Sequence, residues 1–259
     1  LGYQTEIQTA FACNDGGVCA EVHNVLARRA GPEAGPLVLL MSHYDSVGAG
    51  PGASDDGLGT AALLETARLL ASQTPTRNPL LFLITDGEEA GLLGAQAFLL
   101  GHRLAGQVAV VVNLEARGTS GPSLLFQTSG PSNGWLVRQA AALPRPATSS
   151  VFAAIYDRLP NDTDLSVFKR RGVPGLNFAV IGEPRHYHTP RDDLDHLDRR
   201  SLQQHGDNLL ALARRLGGAD LAPPSPGRLA FFDVFGLFIA RWPLALQPWH
   251  SGLPNIYIA

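Results

Sequence analysis

The sequence predicts an α/β domain in three layers, with a central, mostly parallel mixed sheet, helices on both faces and an antiparallel N-terminal hairpin. Two observations carry that prediction. Short continuous apolar runs at residues 37–41, 80–84, 108–114 and 176–181 have the length of strands buried on both faces. Between them, residues 58–70, 92–100, 164–171 and 199–216 repeat apolar positions at helical spacing. Strands that alternate with helices build a layered domain around a largely parallel sheet.

Each element has its own local reason. Residues 3–11 and 18–27 partly alternate apolar and polar positions around the turn sequence Asn14-Asp15-Gly16-Gly17, which reads as a hairpin. Cys13 and Cys19 then oppose each other across the turn, within reach of a disulfide that would favour an oxidising compartment. Two free thiols in a cytosolic protein are the other reading. The strand at 37–41 leads to a helix at 58–70 that stops near Pro75, then to the strand at 80–84 and the helix at 92–100. After the run at 108–114 come a short strand, Leu124-Leu125-Phe126, and a helix at 135–143 ended by Pro144 and Pro146. A helix at 164–171, the strand at 176–181 and an amphipathic helix at 199–216, closed by Gly217-Gly218, complete a catalytic domain of residues 1–221.

The composition changes in residues 222–259. Ala222-Pro223-Pro224-Ser225-Pro226-Gly227 reads as a linker, and residues 229–242 are strongly apolar. Asp233 interrupts that run and Arg241 and Pro243 end it, so it is too short for a membrane span. An edge strand, a membrane-proximal segment or a buried C-terminal strand fits.

The 259 residues are 45% apolar and 17% charged, which excludes a disordered chain. With 20 basic against 23 acidic residues the chain lacks the electrostatic footprint of a nucleic-acid binder. It begins at Leu1 with no targeting segment, which reads as a processed protein or a portion of something longer.

Ligands of open α/β sheets collect at the C-terminal ends of the strands. Here the apolar runs end in Ser42-His43-Tyr44-Asp45, in Asp86-Gly87-Glu88-Glu89, in Asn113-Leu114-Glu115 and in Arg185-His186-Tyr187-His188-Thr189. A further acidic element, Ser54-Asp55-Asp56-Gly57, opens the first helix. Charged loops at strand ends are usually only solvated. Imidazoles and carboxylates gathered at one rim, however, are donors for zinc, cobalt or manganese. Carboxylates so gathered repel one another unless cations neutralise them, and a dinuclear site with one bridging carboxylate resolves that.

In order, His43-x-Asp45, Gly52-Ala53-x-Asp55-Asp56-x-x-Gly59, Glu88-Glu89-x-Gly91-Leu92, Asn113-Leu114-Glu115 and Tyr187-His188-Thr189-x-x-Asp192 resemble the co-catalytic di-zinc exopeptidases. That family includes secreted bacterial leucyl aminopeptidases, glutamate carboxypeptidases and membrane-anchored metallopeptidases of the vacuole and endoplasmic reticulum. The resemblance spans roughly residues 37–216. It implies an aminopeptidase acting on peptides with two zinc ions, in which Asp55 bridges. His43 and Glu115 would complete one site, Glu89 and His188 the other. Glu88 would be the general base and Asp45 would hold the His43 ring. Glu115 replaces the Asp of the secreted aminopeptidases, and Asn161-Asp162-Thr163-Asp164 also resembles the anchored branch. Asp164, behind the metal ligands or at the substrate amine, and Tyr187 would complete the substrate side. An extracytoplasmic location follows, with any membrane association made by segments outside this chain.

Asp56 is the better helix cap of the Asp55-Asp56 pair. His23, His102, His186, His196, His205 and His250 read as surface or structural. Arg117, Arg185 and Arg191, near the rim, could bind a substrate carboxylate, which keeps carboxypeptidase and dipeptidase readings open. Two further rivals are a single-zinc, glutaminyl-cyclase-like acyltransferase on the same fold and a receptor domain that has lost its chemistry.

Overall fold

The computed structural model describes residues 1–29, 35–129, 133–221 and 227–244, so all of the expected linker except Gly227 lies outside the described residues. The chain opens with β1 (Gln4–Cys13) and β2 (Cys19–Arg28), paired antiparallel from Gln4 and Arg28 up to Cys13 and Cys19. The two cysteines form a disulfide across the turn, the oxidised of the two expected states. β3 (Leu37–His43), α1 (Gly57–Ala71), β4 (Leu80–Thr85), α2 (Leu93–Gly101) and β5 (Val108–Ala116) follow in alternation. Then come β6 (Ser120–Ser129), α3 (Gly134–Ala140), α4 (Ser150–Tyr156), α5 (Asp164–Arg170), β7 (Gly175–Gly182) and α6 (Arg199–Gly218).

The strands form one seven-stranded sheet in the order β1-β2-β4-β3-β5-β7-β6. Its four central strands run parallel, and antiparallel partners flank them on both sides. Every residue of β3 is buried, because alternate side chains enter two different cores. Val38 and Leu40 pack with Leu63, Leu70, Leu209 and Leu212 beneath α1 and α6. Leu37, Leu39 and Met41 pack with Phe98 and Phe168 beneath α2 and α5. The central strands are therefore clamped from both faces and their C-terminal ends are held at fixed positions. This is the layered fold expected from the alternation of runs.

Two segments differ from expectation. Residues 150–156 form α4, which buries only Tyr156 and so carries almost no periodic signal. The apolar run at 229–242 is not one strand but a hairpin, β8 (Leu229–Val234) and β9 (Phe238–Pro243). Its turn depends on Gly236 at φ 69° and on Asp233, which accepts from the Gly236 amide at 3.1 Å. The other Asp233 oxygen accepts from the Thr148 amide at 2.8 Å, so the charge that interrupts the run docks the hairpin on the domain. Phe231 and Ile239 enter the larger core. Among the described residues no helix is long and apolar enough to cross a membrane.

His205 of α6 is fully buried, with Nδ1 2.7 Å from the Ser123 hydroxyl of β6. Burial pushes its pKa down to about 3. An unfolded chain takes up this proton near pH 6.5, whereas the folded chain refuses it until about pH 3. The stability tied to a neutral His205 is thus intact above pH ~6.5 and lost as pH falls, by at most about 1.4 kcal/mol per pH unit. In urea titrations from pH 7 to 5, the stability gap between the wild type and His205→Gln should narrow. Parallel pH dependences would show that His205 carries no such linkage.

Candidate metal centre

Four parallel strands end on the same rim, and each delivers a polar segment to it. β3 ends in His43, the turn after β4 carries Glu88 and Glu89, β5 carries Glu115 near its end, and the chain beyond β7 carries His188. Asp55 stands just before α1, whose first turn is capped by Asp56 through the Gly59 amide at 3.1 Å. That cap excludes a side chain at Gly59, where a Cβ would sit 2.3 Å from an Asp56 oxygen. The Asp55–Asp56 peptide bond is cis.

The expected ligands come together in two groups that share one carboxylate, His43–Asp55–Glu115 and Asp55–Glu89–His188. His43 Nε2 lies 3.3 Å from Asp55 Oδ1 and 3.7 Å from Glu115 Oε2. His188 Nε2 lies 3.2 Å from Asp55 Oδ2 and 3.0 Å from Glu89 Oε1. His188 Nε2 and Glu89 Oε1 are buried, yet neither makes a well-directed hydrogen bond. Buried polar atoms normally find partners, so converging donors left this way fit a cation between them. His188 itself holds φ 56°, a left-handed conformation unfavourable for a residue with a side chain.

A second layer of contacts aims these groups. The Asp45 carboxylate accepts from the Glu88 and Glu89 amides, each at 3.0 Å, and lies 3.5 Å from His43 Nδ1. His43 Nδ1 is also 3.0 Å from the Asp45 carbonyl, which fixes the ring so that Nε2 faces the rim. The end of β3 and the turn after β4 are thereby joined through one side chain. Asp192 does the same for Asp55, accepting from the Ser54 amide at 2.8 Å and the Asp55 amide at 3.0 Å. Asn113 donates to Glu115 Oε1 at 3.1 Å and to Asn177 of β7 at 3.0 Å. No spacing in the sequence marks Asn177, because its partner is a neighbouring strand 64 residues away.

Electrostatics follow burial. Burial alone would lower His43, but its contacts with Asp45, Asp55 and Glu115 hold it well above the usual range. Asp55 resists desolvation through His188 and His43 and is held low. Burial, then the charge of Glu115, pushes Glu88 well up. Burial, then Asp55, lifts Glu89 to about 7. Asp164, at the start of α5, is buried with its carboxylate on the Thr85 hydroxyl, and desolvation lifts it to about 7.

The rim opens into a cleft of about 380 Å³ lined by Glu88, Glu89, Glu115 and Tyr187, by Phe126 and Tyr156, and by the hairpin tip at Asn14 and Asp15. Tyr187 stacks on His188, ring centroids 3.7 Å apart. Asp164 is not on the cleft wall. Of the three arginines near the rim, Arg117 lines the cleft, Arg191 is exposed, and Arg185 pairs with Glu183 at 2.7 Å on the surface. His186 is buried against the Thr119 hydroxyl at 2.8 Å and packs on the exposed His196.

Comparisons with known proteins identify the family and the fold. Residues 24–213 match the model of peptidase family M28. Endoplasmic reticulum metallopeptidase 1 of Rattus norvegicus is 37% identical over 215 residues, covering 80% of this chain and 24% of the relative. A vacuolar membrane protease of Candida dubliniensis is 31% identical over 218 residues, covering 83% of this chain and 23% of its own length. The chain thus spans about a quarter of these relatives. Among solved structures, a Porphyromonas gingivalis glutaminyl cyclase shares the fold at TM-score 0.65 and 23% identity, over 83% of this chain and 85% of that one. An aminopeptidase from Aneurinibacillus does so at TM-score 0.62 and 23% identity, over 81% and 52%. On the family match across most of its length, the chain belongs to peptidase family M28.

Proposed function

We propose that this domain is a metal-dependent exopeptidase, and specifically an aminopeptidase that removes N-terminal residues from peptides with two zinc ions. The observation that carries the reading is the pair of donor groups sharing Asp55, with a half-buried carboxyl on the cleft wall, Glu88, beside them that belongs to neither. In this reading Asp55 bridges, His43 and Glu115 complete one site, and Glu89 and His188 complete the other. Cobalt or manganese suits the same nitrogen and oxygen donors. Bound there, divalent ions would acidify the attacking water and polarise the scissile carbonyl.

The chain's own residues carry the proton and hold the geometry. Glu88 takes the proton of the attacking water and returns it to the leaving amine. A carboxyl raised by burial suits both halves of that task. Asp45 keeps the His43 ring and the Glu88–Glu89 backbone in register. Asp164 acts from behind, adding negative charge near Glu88, while Tyr187 packs the cleft edge at His188. Asp15 on the cleft wall, where Asp162 is already paired with Arg170, favours a substrate with a cationic α-amine. The disulfide between Cys13 and Cys19 and the named locations of the relatives support an extracytoplasmic setting.

Glu88→Gln should lower kcat on an aminoacyl anilide by roughly 10²–10⁴-fold, with unchanged metal content by elemental analysis. Near-full activity of that variant on every cleavable substrate would refute the base assignment. His188→Ala should bind at most one ion per chain where the wild type binds two. Two ions retained would remove His188 from the ligand set, and one ion in the wild type would favour the cyclase-type reading. Acetylating the N-terminus of a peptide substrate should abolish cleavage. Undiminished cleavage would exclude an aminopeptidase and point to a carboxypeptidase.

A further inference from the structure

The cleft contains a cation that the chemistry above does not use. Arg117 lies just beyond β5, two residues after Glu115, and is half-buried. Its guanidinium carbon sits 4.9 Å from the centre of the Tyr187 ring, and Nη2 reaches the Tyr187 hydroxyl at 3.5 Å. Tyr187 is stacked on His188, so the guanidinium stands one ring away from the rim of donors.

Among the described residues, no carboxylate lies within ion-pair distance of Arg117. The other arginine on the cleft wall, Arg170, is already 3.5 Å from Asp162. Arg117 therefore makes one side-chain hydrogen bond, to Tyr187, and feels the Asp55 carboxylate only as a charge beyond contact distance, so a partly desolvated guanidinium keeps donors for a further anion. The same cleft wall also carries apolar surface from Phe126, Ala179 and Tyr156. A planar guanidinium fixed by stacking and bordered by apolar surface is suited to a planar, bidentate anion, which among peptide groups is a carboxylate.

We propose that Arg117 is a specificity-determining residue that binds a free carboxylate on one of the two residues flanking the bond to be cut. This rests on the exopeptidase reading and narrows its substrate class. The carboxylate has two sources, an acidic side chain on the N-terminal residue or the C-terminus of a dipeptide. Asp15 and Arg117 on the cleft wall together then match a short peptide that carries both charges.

Steady-state kinetics on the metal-loaded enzyme separate these sources through two ratios of kcat/KM. One is glutamyl anilide over leucyl anilide; the other is leucyl-glycine over leucyl-glycinamide. One ratio should be about tenfold or more in the wild type, should fall to near one in Arg117→Gln, and should recover in part in Arg117→Lys. Whichever ratio does so names the source. Two wild-type ratios near or below one, or a ratio that survives in Arg117→Gln, would overturn the proposal. If no peptide is cut, the exopeptidase reading fails by itself, and calorimetric titration still tests Arg117. L-glutamate against L-glutamine, or glycine against glycinamide, should bind with a contrast that Arg117→Gln abolishes. Equal binding within both pairs would overturn the proposal whatever the activity.

Discussion

The two oxygens of the Asp55 carboxylate face different histidines, His43 on one side and His188 on the other, and each histidine also faces a glutamate. Much of the structure exists to make that convergence tolerable. Buried carboxylates lose hydration and repel one another, and burial indeed drives Glu88, Glu115 and Asp56 upward. Only protons or cations can balance such a rim. A framework that holds the groups in place regardless of their mutual repulsion must therefore be stiff, and the source of that stiffness is the doubly covered parallel sheet.

The stiffness is transmitted through neutral donors as much as through ion pairs. Asp45 and Asp192 both face the rim from behind, and each satisfies its charge on backbone amides rather than on an arginine or lysine. Backbone amides cannot swing away as a flexible cationic side chain can, so Asp55, Glu88 and Glu89 are positioned by the main chain itself. Asn113 and Asn177 extend the same logic across β5 and β7 with amide side chains. Asp55, Glu88, Glu89 and Glu115 are in this way tied to a second strand or turn, and a disturbance at one loop is shared by its neighbours.

The two hairpins outside the central strands do different work. The N-terminal hairpin extends the sheet and brings its disulfide-closed tip to the cleft, where Asn14 donates to the Ala90 carbonyl at 3.2 Å in the turn that carries Glu88 and Glu89. The C-terminal hairpin buries Phe231 and Ile239 while leaving Phe235 94% exposed at its turn. One hairpin helps to shape the site, and the other covers the core near α3 and α4.

The sequence by itself determined the central sheet and the long helices, because buried strands leave local signals, and with the family resemblance it singled out His43, Asp55, Glu88, Glu89, Glu115 and His188, which the structure gathers at one rim. A continuous apolar run ends where charge begins, and that boundary is legible without any knowledge of neighbours. It left open whether the run around Asp233 was one strand, because periodicity does not register a turn formed when an aspartate caps a glycine amide. Only the tertiary structure decided the partners of Asp192, Asn177 and Arg117. Each acts through a residue distant in the chain, on a side chain or amide that no local pattern brings near. That Arg117 stands without a carboxylate partner is likewise a property of three-dimensional packing, since ion pairing depends on what surrounds a charge in space and not on what precedes it in sequence.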